Sequence, residues 1–230
     1  MRVTEHEKFD EVYWVEFEGG KLNLATKNLA PGTQVYDERL VEIEGEEYRI
    51  WDPYRSKLAS AILRGVEEIP VKPGTKVLYL GAASGTTASH VSDIVGEEGM
   101  VYCVEISSRP LRDLLVTCEQ RPNMAPILGD AQKVEEYQAR IEQADLIYQD
   151  VAHPEQTNIA LKNIEAFLQE NGSALIALKA RSIDVTKDPR EIFRGEMKRL
   201  EEEMEIVESK LLDPYQKDHA MVLLKNKTES

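Results

Sequence analysis

The sequence carries little cysteine and no cluster of metal ligands. Its two cysteines, Cys103 and Cys118, form no Cys-x-x-Cys pair, and its four histidines (His6, His90, His153 and His219) are widely scattered. That spacing argues against a zinc site, and no metal is expected. The two thiols fit reduced core residues of a cytosolic protein, one in an apolar run and one in a helical pattern. No run of about eighteen apolar residues occurs, and the charged N-terminus lacks an apolar signal core. A soluble, cytoplasmic protein that does not enter a membrane is expected. Positive charge is also short: 28 Lys and Arg face 42 Asp and Glu, a formal net charge of −14. Non-specific grip on nucleic acid needs a basic footprint, so partners would have to hold such a substrate. The dinucleotide fingerprint Gly-x-Gly-x-x-Gly is missing, which argues against a NAD-dependent oxidoreductase.

What is present is a row of short apolar runs that end on glycine or polar residues. Residues 77–80 end at Gly81, 101–104 at Glu105, and 125–128 at Gly129-Asp130. Residues 146–148 then end at Gln149-Asp150, and 174–178 at Lys179. Near-continuous apolar runs separated by helical patterns read as parallel strands buried on both faces. Helices are expected over 56–66, 86–95, 108–119, 155–169 and 189–203, and a terminal hairpin over 206–212 and 220–224. Residues 225–230 read as a polar tail. The fold class is therefore α/β, a mostly parallel sheet with helices on both faces and a C-terminal antiparallel hairpin. Residues 1–55 differ: aromatic-rich strands at 12–17, 21–25 and 47–51, with turns at Gly19-Gly20 and Gly45, suggest a small antiparallel β domain. The expected division is 1–55 for that domain and 56–230 for the main one.

In an open α/β sheet, ligands bind outside the carboxyl ends of the strands, so the run endings should meet in one crevice. Gly81-Ala82-Ala83-Ser84-Gly85-Thr86-Thr87 follows the first strand and opens a helix, where small residues let backbone N–H groups approach a ligand. An ordinary glycine turn would look similar. Glu105 lies about twenty residues on, where an acidic strand end accepts hydrogen bonds from ribose hydroxyls. Asp130-Ala131 adds an acceptor suited to an adenine amino group. Three acidic endings, Glu105, Asp130 and Asp150, sit awkwardly with dinucleotide phosphates and suit a cationic, phosphate-free cofactor. S-adenosylmethionine meets both conditions.

Seven segments also resemble one family. They are Tyr36-Asp37-Glu38, Tyr48-Arg49-Ile50-Trp51, Arg55-Ser56-Lys57-Leu58-Ala59, Leu80 through Thr87, Asp150-Val151-Ala152-His153-Pro154, Lys179-Ala180-Arg181-Ser182-Ile183-Asp184, and Lys217-Asp218-His219-Ala220. In order and over nearly the whole chain, they resemble the archaeal fibrillarins, without the Arg-Gly-rich tail of the eukaryotic relatives. The resemblance implies a class I methyltransferase fold behind a small β domain. It implies S-adenosylmethionine-dependent ribose 2′-O-methylation of rRNA and tRNA, guided by box C/D RNA. It implies a cofactor site lined by Gly81, Ala82, Thr86, Thr87, Glu105, Ile106, Asp130, Ala131, Asp150, Val151, Ala152 and His153. It also implies a catalytic tetrad of Lys57, Asp150, Lys179 and His219. Strand-end positions independently single out Asp150, Lys179 and His219; Lys57 comes from the resemblance alone. The implied partners are a Nop-domain scaffold protein, a kink-turn-binding protein of ribosomal type, the guide RNA and its rRNA or tRNA target. The N-terminal sheet and adjoining helix are expected to carry the scaffold contact.

A ribose hydroxyl is a poor nucleophile, so the site must align it with the methyl donor and help remove its proton. Lys179 at the end of a buried strand should have a depressed pKa, and a nearby Lys57 should depress it further. A neutral Lys179 would accept the proton while Asp150 orients the lysines or the hydroxyl. His219 would tune or relay. Arg55, Arg181, Lys187 and Arg190 are either local positive charge at the mouth or solvated charges paired with Asp184 and Asp188. His153 is expected near the cofactor, and His6 and His90 in solvent. A small-molecule methyltransferase would want a substrate lid or metal ligands, and neither is evident. A non-enzymatic subunit of an RNA–protein particle predicts a broken tetrad, yet all four positions are filled.

Overall fold

A computed structural model describes residues 1–227 as two sheets with six helices. The first is antiparallel, in the order β1 (Arg2–Glu5), β2 (Val12–Glu16), β3 (Leu22–Lys27), β5 (Glu46–Ile50) and β4 (Leu40–Ile43). The sequence pattern marks its three central strands. The two it does not mark, β1 and β4, are the edges, each four residues long, with β1 mostly exposed and β4 partly buried. Short polar edges carry little hydrophobic period and protect the sheet from pairing with other chains.

The second sheet holds β6 (Lys76–Leu80), β7 (Met100–Glu105), β8 (Met124–Leu128), β9 (Ala144–Gln149), β10 (Leu168–Lys179), β11 (Met204–Leu211) and β12 (His219–Asn226). Their order is β11-β12-β10-β9-β6-β7-β8, with β12 antiparallel to both its neighbours and β10, β9, β6, β7 and β8 mutually parallel. Alternate side chains of each strand enter opposite cores. Val77, Tyr79, Cys103, Leu146 and Tyr148 pack on one face, and Leu78, Leu80, Val104, Ile147 and Ile176 on the other. Both cores are continuous because helices cover both faces. Those helices are α1 (Lys57–Leu63), α2 (Thr86–Val95), α3 (Ser108–Glu119), α4 (Gln156–Phe167), α5 (Ala180–Ile183) and α6 (Pro189–Glu203).

The structure corrects several expectations. The helix expected over 155–169 ends at Phe167, because Leu168 is extended and already pairs with Ala144 as the start of β10. The first helix is shorter than 56–66: Ser56 caps it, and Gly65 beyond its end turns the chain at a φ of +76°. Of the expected polar tail, Lys225 and Asn226 continue β12, opposite Ser173 and Met204; residues 228–230 lie outside the described residues. The largest correction concerns histidine. His6 stacks between Phe9 and Trp14 with its side chain largely covered, and His90 is completely buried.

His90 belongs to a polar joint between the two sheets. Asp93 of α2 accepts four hydrogen bonds: Thr26 Oγ1 at 2.7 Å, Arg49 Nη1 at 2.8 Å, the Leu29 N–H at 3.0 Å and Arg121 Nη1 at 2.5 Å. Arg49 also pairs with Glu38 at 2.6 Å. Two buried guanidinium groups thus face two buried carboxylates, and the charges cancel only if His90 is neutral. Thr26 has committed its one proton to Asp93, so His90 Nδ1 donates to Thr26 Oγ1 at 2.7 Å. His90 Nε2 then accepts from the Tyr36 hydroxyl at 2.7 Å, and the ring stacks on Trp51. Burial first, then the charges of Arg49 and Arg121, hold the His90 pKa well below its ordinary value.

Two predictions come from this joint. Asp93→Asn leaves Arg121 and Arg49 buried without their shared counter-charge and should cost about 3–5 kcal/mol in chemical denaturation. The folded state also refuses a proton at His90 that the unfolded chain accepts near pH 6.5. Stability is therefore complete above that pH and should fall on acidification through the window below it. Denaturation midpoints at neutral and acidic pH, read with the ring resonances of His90, check this; a His90 ring that titrates near 6.5 in the folded protein would contradict it.

Candidate functional site

The strand order reverses between β6 and β9, and the carboxyl ends of β6, β7, β8, β9 and β10 surround one cavity of about 340 Å³. Larger hollows occur beside α4 and along the N-terminal sheet, but no row of strand ends opens into them.

Each wall of the cavity is set by local geometry. Gly81, just past β6, has a φ of +78°, and a Cβ there would lie 2.9 Å from the Asp150 carbonyl oxygen and 3.2 Å from Val151. Only glycine lets the ends of β6 and β9 come this close. The turn continues through Ala83, also left-handed, whose N–H donates to Glu105 Oε2 at 2.9 Å. Glu105 Oε1 accepts from the Ser107 N–H at 2.7 Å, so backbone bonds hold both carboxylate oxygens at the cavity wall. Asp130 is fixed by its own turn, accepting from the Gln132 N–H at 3.0 Å. The Ala131 carbonyl is held from behind by buried Asn163 at 2.9 Å, itself bonded to the Tyr137 hydroxyl. Ile106 is 63% exposed at the lip, an apolar surface without a protein partner.

The reactive groups meet at the β9 end. Asp150 Oδ1 lies 3.0 Å from Lys57 Nζ and 2.7 Å from Lys179 Nζ. Lys57 also donates to Oδ2 at 3.1 Å, and Lys179 to the Asp150 carbonyl at 2.7 Å. Oδ1 is buried between the two ammonium groups. Burial lowers the Lys179 pKa, opposed by Asp150 and assisted by Lys57. His219 lies opposite Lys179 in the β10–β12 register. Its Nδ1 donates to the Lys217 carbonyl at 2.6 Å, which leaves Nε2 as the acceptor, and burial lowers its pKa. Two cations against one carboxylate make loss of a lysine proton easier than on an open surface.

Most residues singled out from the sequence meet here. Gly81, Glu105, Ile106, Asp130, Ala131, Asp150, Val151, Ala152, His153 and Lys179 line the cavity. Ala82, Thr86 and Thr87 are not among its lining residues; Ala82 is buried, and Thr87 donates to Ser56 Oγ at 3.0 Å. That bond has a different use, because Ser56 caps α1 and Lys57 is the first residue of that helix. Ala83, Gly129 and Gln132 line the cavity and were not singled out as site residues, although each adjoins one that was. Of the possible basic cluster, Arg181 pairs with Asp218 at 3.0 Å and Lys187 with Asp184 at 3.7 Å. Arg55 lies over the Tyr36 ring and donates to its carbonyl. The charge of Arg181 and Lys187 is thus locally paired. No group of three His, Cys, Asp or Glu residues is placed to hold a metal among the described residues. No described helix is long and apolar enough to cross a membrane.

A mostly parallel sheet with a terminal antiparallel hairpin and acidic strand ends around one cavity defines the class I S-adenosylmethionine-dependent methyltransferase fold. The Fibrillarin family model matches residues 3–228, and the chain belongs to the fibrillarin family. It is 53% identical over 224 residues to a fibrillarin-like rRNA/tRNA 2′-O-methyltransferase of Methanopyrus kandleri, with 97% of each chain covered. The crystal structure of Aeropyrum pernix fibrillarin with natively bound S-adenosyl-L-methionine superposes with a TM-score of 0.92 at 50% identity, covering 97% of this chain and 98% of that one. A crystal structure of a fibrillarin/Nop5p complex superposes with a TM-score of 0.85 at 40% identity, covering 97% of this chain and all of the matched one, 100%.

The glycine at the β6 turn has an internal control. Gly81 and Gly32 have φ of +78° and +80°, but a Cβ at Gly32 would meet nothing within 4 Å. Gly32→Ala should cost about 1 kcal/mol of backbone strain, whereas Gly81→Ala adds a backbone clash and should cost about 2–4 kcal/mol in urea denaturation. Equal losses at the two positions would contradict the close-approach reading.

Proposed function

We propose that this chain transfers a methyl group from S-adenosylmethionine to ribose 2′-hydroxyls of rRNA and tRNA, as the catalytic subunit of a box C/D guide ribonucleoprotein in the cytoplasm. The observation that carries the reading is Asp150, held between Lys57 at 3.0 Å and Lys179 at 2.7 Å at the cavity edge. Family membership supports it, since the relatives named above are 2′-O-methyltransferases or bind this cofactor.

The cavity suits the cofactor by its donor set. Glu105 offers carboxylate lone pairs toward ribose hydroxyls, Asp130 an acceptor toward an adenine amino group, and Ile106 an apolar surface for a flat ring. Three carboxylates and no free phosphate-binding cluster at the wall favour a positive ligand over a dinucleotide. Bound there, S-adenosylmethionine supplies an electrophilic methyl group on a sulfonium. The chain's own part is to place the hydroxyl and take its proton. Asp150 holds both lysine side chains in place beside the incoming hydroxyl. Lys179, neutral in a fraction set by its lowered pKa, removes the proton, and Lys57 keeps that pKa low through like charge. His219 Nε2 receives the proton onward or adjusts the pair from the neighbouring strand.

Target choice follows from the charge. A chain with a net charge of −14 is unsuited to gripping RNA alone. Guide RNA then reads the target by base pairing, and a Nop-domain scaffold and a kink-turn-binding protein of ribosomal type hold the RNA. The solved fibrillarin/Nop5p complex supports the scaffold. Residues 1–55 act as the small β domain that carries the scaffold contact with the adjoining helix, and the chain from residue 56 acts as the methyltransferase domain.

The test is transfer of labelled methyl to a guide-paired target in the assembled particle, beside a target with a single 2′-deoxy nucleotide. Labelling should need both partner proteins and vanish with the deoxy target; labelling of the deoxy target at an equal level would sink the reading. The rate should rise with pH along a limb whose midpoint lies below the ordinary lysine range, because deprotonated Lys179 is the active form. Asp150→Ala should lower the rate at least about a hundredfold.

A further inference from the structure

A single buried glutamine outside the tetrad holds Lys179 by its main chain. β9 follows β10 only as far as the pair Gln149–Ile176, and then leaves: the Asp150 N–H bonds to the Leu80 carbonyl of β6. The last residues of β10 therefore lose their neighbour on one edge. On the other edge β12 remains, and the Ala180 N–H donates to the Asp218 carbonyl there. Adjacent residues of a strand point their polar groups to opposite sides, so the N–H and C=O of Lys179 face the vacated edge.

Gln156 occupies that edge. Its Oε1 accepts from the Lys179 N–H at 2.8 Å, and its Nε2 donates to the Lys179 carbonyl at 3.1 Å. The second Nε2 hydrogen goes to the His153 carbonyl at 3.0 Å. Two carbonyls demand the NH₂ group and one N–H demands the oxygen, so the partners fix the orientation of the carboxamide. Gln156 is itself held: it is fully buried, and its own carbonyl accepts from Gln149 Nε2 at 2.8 Å. A side-chain amide thus reproduces the paired donor and acceptor of a missing strand, and ties the end of β10 to the loop after Asp150.

We infer that Gln156 is a positioning residue of the site, which fixes where Lys179 stands against Asp150 by bracketing the Lys179 main chain. Of the other residue types only asparagine offers an acceptor and two donors in one plane, and it is one methylene shorter. Without it, two main-chain groups of Lys179 would turn to water or to other partners, and the lysine would lose its fixed place. The inference rests on the methyl-transfer reading for its consequence, but the geometry it concerns belongs to the chain alone.

The groups that face Lys179 are Asp150 after β9, Lys57 on α1, His219 on β12 and Glu105 on β7. Their charges are unaltered by Gln156→Met or Gln156→Asn, the first removing the polar group and the second withdrawing it by one methylene. The first readout is acylation of Lys179 by acetic anhydride across pH, followed by peptide mass spectrometry on the full chain without RNA. The second is kcat and the KM for S-adenosylmethionine in the assembled particle. Both variants should raise the acylation midpoint of Lys179 by about one pH unit, tenfold in reactivity, as the lysine becomes hydrated. They should lower kcat about tenfold to a hundredfold with little change in KM, as expected for a misplaced reacting group. Thr157→Val alters an equally buried neighbour that bonds to nothing and should leave both readouts as in the wild type. An unchanged midpoint in either folded variant overturns the inference, and so does failure of both to fold, which would make Gln156 a residue of general stability. If the wild-type particle transfers no methyl, the functional reading fails while the midpoint comparison still decides the role of Gln156.

Discussion

The structure depends on how Asp93 is used. Its carboxylate takes bonds from Thr26 and Leu29 of the first sheet's segment, from Arg49 of β5, and from Arg121 after α3. A buried ion pair of this kind gives little net stability over an apolar contact, because desolvating the charges offsets their attraction. What it gives is location. Apolar surfaces tolerate sliding, whereas a carboxylate with four directed donors tolerates very little. The N-terminal sheet is thereby seated on α2 in one register. From that seat the chain runs through Trp51, stacked on His90, to Ser56, which caps α1 and receives the Thr87 hydroxyl. Lys57 is the next residue.

The cluster of Lys57, Asp150, Lys179 and His219 is therefore assembled from two directions. Asp150, Lys179 and His219 come from the ends of neighbouring strands of the second sheet; the β10–β12 register sets Lys179 opposite His219, and Asp150 follows β9 where its pairing with β10 has ended. Lys57 arrives from the first turn of a helix that the N-terminal sheet delivers. Two lysines share one carboxylate, and neither charge is fully satisfied. The depressed pKa of Lys179 follows first from burial, and Lys57 adds like-charge repulsion that Asp150 only partly offsets. Such an imbalance would be a liability in a purely structural core. At the edge of a cavity it makes a lysine give up its proton more readily than on an open surface.

The two polar systems differ in how completely they close. The joint at Asp93 balances two guanidinium groups with two carboxylates around a neutral imidazole, and nearly every polar atom has a partner. The site leaves two lysines sharing one carboxylate and Ile106 without apolar cover. Completed networks hold shape, and incomplete ones are available to ligands. The acidic whole fits this division. Carboxylates line the cavity, and the basic side chains of Arg181 and Lys187 are paired nearby, so the wall offers little free positive charge.

By itself the sequence determined the parallel strands, their order of endings and the acidic crevice, because a strand buried on both faces writes a continuous apolar run and its end is marked where polarity returns. It also carried the family pattern, and with it the expectation that Lys57, Asp150, Lys179 and His219 act together. It could not place the edge strands β1 and β4, whose exposed residues follow no strong period. It misread His90, since an isolated histidine has no local mark of burial, and its surroundings are assembled from residues up to 64 positions away. Lys57 was legible only through the resemblance, and Gln156 not at all. For both, the partner lies across the fold: Asp150 is 93 residues from Lys57, and Lys179 is 23 from Gln156. Local sequence encodes which segments become strands and helices through hydrophobic period and caps. Only the tertiary structure decided which charges meet, because Coulomb forces and hydrogen bonds depend on distance in space and leave no period in the chain.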